Sequence, residues 1–253
     1  MTTLTLLTKT KDNEQLKQVH QTLQTHLSGL DIEARILGTV GGGWIQISLS
    51  GEDEAIATNY LIQEIGLCPS SYDSVKFSTV KGYINNIESD GSGLSVDVGI
   101  FKPEIVHAII PLNSLQIELL NSMNISLGKL ADLFGLCEGL PLRVTINSLN
   151  ENETFLDARL SIEQIEKYRV WRESLLQRLL VLYPSLQEIE VALKHFRLYR
   201  DVIEVEPLGF FAHALTCKLG TDATGLIPKI GKTLKNSRFA VFNPVILRAF
   251  LKK

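Results

Sequence analysis

Lysine and arginine recur in two short runs of this 253-residue chain. Lys229, Lys232, Lys235 and Arg238 fall every three residues around a glycine and a turn. Lys194, Arg197 and Arg200 stand just upstream at i, i+3 and i+6, the spacing of one helix flank. Cations so placed can line a groove and neutralise phosphates, and each phosphate adds a salt-dependent increment to affinity. The same pattern also suits a plain solvated face. Phe210, Phe211, Phe239 and Phe242 accompany the basic run, and aromatics in such company more often fill a core than stack on bases. Earlier in the chain, Phe77 and Tyr83 lie six apart on an expected strand, with Lys81 between them. An even spacing puts both rings on one face, where they could stack successive bases.

Other chemistry is thin. His20, His26, His107, His195 and His213 lack metal-ligand spacing. Gly231-Lys232-Thr233 resembles the end of a phosphate loop, but Gly225 is one residue too far and Pro228 interrupts the run. The glycine stretch "GTVGGG" at 38–43 precedes a strand, so it lacks the helix N-terminus that would hold an anion. It reads as a hairpin loop, one that could still let an RNA backbone come close. No catalytic residue, metal or cofactor is expected.

Composition is that of an ordinary globular chain, 45% apolar and 21% charged. Apolar runs fall far short of the ~20 residues of a membrane span, and the first residues lack a secretory pattern. Cys68, Cys137 and Cys217 are scattered and odd in number, with no C-x-x-C. Together these predict a reduced, cytoplasmic protein with no membrane partner. The net charge of -3 hides a split: residues 202–253 carry eight basic and three acidic groups, the first 201 carry 17 and 25. One end could meet a polyanion.

The elements that must position these residues predict an α+β multidomain chain. Residues 1–72 read as β-α-β-β-α. Residues 73–160 read as five strands with a helix before the fourth, the plan of a small OB barrel. The first hairpin turns at Asp90-Gly91 and the last around "NENE". The second strand points Asp97 outward, where it would repel phosphate. Residues 161–200 read as a helical hairpin opened by Ser161 and Gln164 and by Ser185 and Glu188. Residues 201–253 read as a basic β-rich unit. A faint repeat, "AIIP" against "GLIP", suggests that this unit is a second, shorter OB-like barrel.

The middle of the chain resembles the ribosomal-protein-S-one type of OB domain. "VKGYI" at 80–84, "GLSVDV" at 93–98, "AIIPLNSL" at 108–115, "GLPLRVTI" at 139–146 and "FLDARLS" at 155–161 carry the likeness. RNA-binding domains of that type usually have an aromatic where this chain has Ser95, and often a histidine where it has Pro111. The whole chain resembles the archaeal DUF2110 family, through "LADLFGLCEGLPLRV", "VIEVEPLGFFAHALTCKLGTDATGLIPKIG" and "FAVFNP". That resemblance implies an archaeal cytosolic protein with an OB-like middle, and no activity.

Barrel and basic end together lead us to expect a non-enzymatic RNA-binding protein of translation or transcription. The alternative is an adaptor that docks on the ribosome, an initiation factor or RNA polymerase without touching nucleic acid.

Overall fold

Alternating apolar residues and two helices build the N-terminal part. The structure, a computed structural model, describes residues 1–87, 91–150 and 155–252. It divides into two units, Met1–Ser74 with Gly99–Val106, and Val75–Val98 with His107–Lys253. The first has the expected order: β1 (Thr2–Lys9), α1 (Asn13–His26), β2 (Ile32–Val40), β3 (Trp44–Gly51) and α2 (Glu54–Glu64). Its antiparallel sheet runs β1-β3-β2. Asp12 opens α1 by accepting from the Gln15 amide at 2.9 Å, a cap worth about 1 kcal/mol. Val19 and Leu23 of α1 and Ala57 and Leu61 of α2 are buried, as are Trp44, Ile45, Ile47 and Leu49 of β3.

The loop at 38–43 joins β2 to β3, and Gly41 has φ +51. A Cβ there would lie 2.6 Å from Cβ of Phe101. The bare backbone at Gly41 therefore serves a close approach by Phe101, a contact within the first unit and not one to a ligand.

Further along the chain β4 (Thr79–Ile87), β5 (Gly93–Ile100) and β6 (Val106–Pro111) lead into α3 (Leu112–Leu120) and α4 (Leu127–Phe134). Then β7 (Pro141–Asn150) and β8 (Phe155–Leu160) close a barrel in the order β4-β5-β6-β8-β7. This is the OB plan, with β6 and β8 parallel. Leu142, Val144 and Ile146 of β7 fill the interior with Leu94, Val96 and Val98 of β5. A side chain on Gly82 would strike Val96 at 2.6 Å, so glycine lets the wall close. Asp90 of the first expected turn and residues 151–153 of the last lie outside the described residues.

Both helices expected in 161–200 are present, as α5 (Ile162–Glu173) and α6 (Leu186–His195). The segment between them, read from the sequence as helical, is instead β9 (Arg178–Leu182). Five consecutive residues buried on both faces look the same in a central strand and a buried helix. Left-handed Leu175 (φ +59) marks the exit from α5. Ile162, the first residue of α5, is 80% exposed.

After a 3-10 turn at Leu198–Arg200 come β10 (Val202–Gly209), β11 (Ala212–Cys217), α7 (Ala223–Ile230), β12 (Arg238–Phe242) and α8 (Pro244–Leu251). "GLIPKI", expected as a strand, lies in α7, which Asp222 caps through the amides of Thr224 and Gly225. The C-terminal unit is thus an open sheet, ordered β10-β11-β9-β12, and not a second barrel. One face, with Leu179, Val181, Leu215 and Cys217, packs under α6 and α7. On the other, Phe242 meets Phe134, Tyr168 and Trp171, which join the sheet to α4 and α5.

Candidate nucleic-acid interface

In the β4–β7 pair, residues alternate between the barrel interior and the outer wall. Lys81 faces Arg143 directly across the strands, both outside, while Gly82 and Leu142 take the interior. The N-terminus of α5 is pinned against this wall. The Ser161 amide donates to the Arg143 carbonyl at 3.0 Å, and the Arg143 amide donates to Oε1 of Gln164 at 3.1 Å. Ser161 itself, fully buried, caps α5 by accepting from the Gln164 amide at 3.1 Å. That register brings Lys167 over the same wall, and β10 closes the remaining side with Pro207 and Leu208.

The result is a cavity of about 250 Å³ ringed by Lys81, Arg143 and Lys167. Lys167 reaches Glu206 at 2.6 Å and lies 5.2 Å from the Trp171 ring centre. Among the described residues no carboxylate forms an ion pair with Lys81 or Arg143. Glu163 also lines the cavity and is held below the usual carboxylate range, chiefly by Ser161, with Arg143 a smaller cause. Burial, reinforced by Arg143 and Lys167, pushes the Lys81 ammonium down to about 8. Lys81 is half-buried and Arg143 exposed beside it, and two adjacent like charges make a site with unspent attraction for an anion.

Behind the cavity, Arg178 lies 4.9 Å from the Trp171 ring centre. It donates to Ser174 Oγ and to the Leu176 carbonyl, both at 3.0 Å. Burial lowers its pKa while Glu206 and Glu204 oppose that effect. It is a structural cation holding the end of α5 to the sheet. Cys137 and Cys217 are free thiols pushed up to about 11 by burial, so they stay protonated at neutral pH. Among the described residues no group of three or more His, Cys, Asp and Glu could hold a metal.

Of the residues singled out in the sequence, only Lys81 enters this cavity. Tyr83 sits on the outer wall but is buried, its hydroxyl close to Gly209 of β10. Phe77 has φ +58 and lies in the turn before β4, 73% exposed. The two rings therefore do not share a strand face. Asp97, expected outward, is 3% exposed, and all eight residues of β5 are buried. Lys194, Arg197 and Arg200 are exposed, but α6 ends at His195 and Arg197 is left-handed at φ +56, so no single flank carries them. Lys229, Lys232 and Lys235 are exposed around the end of α7. Arg238 is engaged by Glu138, through the carboxylate at 2.9 Å and the carbonyl at 3.1 Å. Phe242 and Phe211 are core residues, and Phe239 packs on the core under α7.

Arg143 and Lys167 were missed in the sequence. Arg143 is the one charge in the apolar run "LPLRVTI", a signal that could have marked it. Lys167, four residues after Glu163, reads as half of a routine helix-surface pair.

Sequence models of DUF2110 match the chain almost throughout: its N-terminal domain over residues 3–71, its central domain over 76–172 and its C-terminal domain over 168–242. The chain belongs to the DUF2110 family. No curated protein matches it. Solved structures similar to this DUF2110 chain include an uncharacterised protein from Methanocaldococcus jannaschii. That likeness is 13% identical and covers 34% of this chain and 92% of the other, at TM-score 0.23. A second is in the a/eIF2alpha–aDim2p–rRNA complex from Pyrococcus horikoshii, 11% identical, covering 51% and 69%, at TM-score 0.26. A third is the intact aIF2 alpha subunit from Pyrococcus abyssi, 10% identical, covering 66% and 96%, at TM-score 0.25.

Proposed function

We propose that this DUF2110 protein binds RNA without transforming it, and serves translation or transcription. The observation that carries the reading is the Lys81–Arg143–Lys167 ring on the outer wall of an OB barrel. Oligonucleotides commonly use the face of the second and third OB strands. Here β5 offers no exposed side chain, so the binding surface moves to the β4–β7 wall. With Tyr83, Tyr168 and Trp171 buried, affinity comes from phosphate contacts more than from stacking. Lys229, Lys232 and Lys235 add a diffuse positive field that steers the chain without seating it.

Fluorescence anisotropy with a single-stranded RNA pool at two salt concentrations tests this. Lys81→Met with Arg143→Met should weaken binding at least tenfold. It should also lower the salt slope by about 1.4, roughly 0.7 per lost phosphate contact on a single strand. Reversing Lys229, Lys232 and Lys235 to Glu should cost less, and only at low salt. Unchanged affinity in the double variant, or no RNA binding by the native protein at low salt, would sink the proposal.

A further inference from the structure

We infer that the cavity walled by β4, β7, α5 and β10 takes a phosphate monoester, the terminal phosphate of an RNA strand or of a mononucleotide, in preference to an internal phosphodiester. The inference rests on the RNA-binding reading for the source of that group, and on the cavity alone for its chemistry.

Charge is the first argument. Lys81 and Arg143 face each other across two strands without an ion-paired carboxylate among the described residues. Lys167 shares its charge with Glu206. Lys81, Arg143 and Lys167 stand against the carboxylates of Glu163 and Glu206, three cations to two, so the site stays net positive and draws a dianion more strongly than a monoanion. A phosphate monoester carries about -1.5 to -2 at neutral pH, because its second pKa is near 6. A diester carries only one negative charge and gains correspondingly less from Lys81 and Arg143.

Space is the second argument. At about 250 Å³ the cavity is below the roughly 300–1,000 Å³ of drug-sized ligand pockets. It suits a phosphate and its nearest sugar. Leu140, Pro207 and Leu208 give it an apolar side, and Glu163 is the one carboxylate in its lining. The Lys81 ammonium lies 3.5 Å from where a side chain on Gly209 would begin, an ordinary contact distance. The Trp171 ring is taken by Lys167 and Arg178, which leaves no platform for a base.

The titrating and charged groups around the site are Lys81 of β4, Arg143 of β7, Glu163 and Lys167 of α5, and Glu206 of β10. Burial and the two neighbouring cations depress Lys81 towards neutrality, and a bound dianion would reverse that. Preference for the monoester should therefore fade in two directions. Acid below about pH 6 protonates the monoester, and alkali above about pH 8 discharges Lys81.

The test compares one RNA sequence with a 5′-phosphate, a 3′-phosphate or hydroxyls at both ends, alongside AMP and inorganic phosphate in thermal-shift titrations. A phosphorylated end should bind at least tenfold more tightly than the hydroxyl form. Lys81→Met should abolish that preference, and Lys17→Met should keep it. Methionine fills the space of lysine without its charge, so a melting temperature at or above that of the native protein certifies the fold. Equal affinity for phosphorylated and hydroxyl ends overturns the inference while leaving RNA binding intact. Stabilisation by AMP or phosphate with no RNA bound supports the cavity and rejects the RNA reading. No response to any of these probes overturns both.

Discussion

Replacing Lys81 by methionine should make the protein more stable at neutral pH, and the gain should vanish in alkali. The folded chain holds this ammonium at about 8 against an ordinary 10.5. At about 1.36 kcal/mol per pH unit, that difference is worth about 3 kcal/mol. Below pH 8 the lysine is charged both folded and unfolded, and the folded state bears the whole cost of half-burying it beside Arg143 and Lys167. Between pH 8 and 10.5 the folded chain has lost the proton and the unfolded chain still holds it. The unfolded state then binds more protons, so stability rises with pH across that window. Methionine has no such charge, so its advantage of about 3 kcal/mol at pH 7 should close by about pH 10.5. Urea unfolding in a phosphate-free buffer reads this, followed at Trp171 with Trp44→Phe in both proteins. A gap that stays constant from pH 6 to 10, or a methionine variant less stable at pH 7, would refute the account of Lys81 as an uncompensated cation.

Two further outcomes concern the rest of the molecule. Gly41→Ala should destabilise the first unit by about 2–4 kcal/mol, since the new Cβ meets Phe101 and the backbone is left-handed; hydrogen exchange in β2 and β3 reads the loss. His213 is buried without a partner for Nδ1 among the described residues, and burial lowers its pKa to about 4 from 6.5. It must enter the folded state neutral, so stability present above pH 6.5 should fall by about 3 kcal/mol as the pH drops towards 4. His213→Leu should flatten that part of the urea–pH curve.

Much of the architecture is written locally. Asp12, Ser161 and Ser185 each sit one residue before a helix and cap it, which a sequence announces because the cap is a matter of three consecutive amides. The barrel strands alternate in hydropathy, and their order with a helix before the fourth strand was enough to give the OB plan. The stretch "RLLVL" was not legible in the same way. Its residues are apolar without a period, and only the neighbouring strands β11 and β12 make it a strand. "GLIPKI" likewise read as part of a β-rich unit, whereas the Asp222 cap and the buried Leu226 and Ile230 make it the helix α7.

The sequence by itself determined the supply of charge and the local elements: a basic end, a capped set of helices, a run of alternating strands. Only the tertiary structure decided which charges meet. Lys81, Arg143 and Lys167 are spread over 87 positions, and two facts of packing unite them, the cross-strand register of β4 with β7 and the docking of α5 on that wall. The cations that looked most suggestive in the chain were close in sequence, and the fold left them on separate turns or engaged one with Glu138. Proximity along a chain fixes spacing on one helix or strand. An electrostatic site depends on distances across elements, and on the water that those elements exclude.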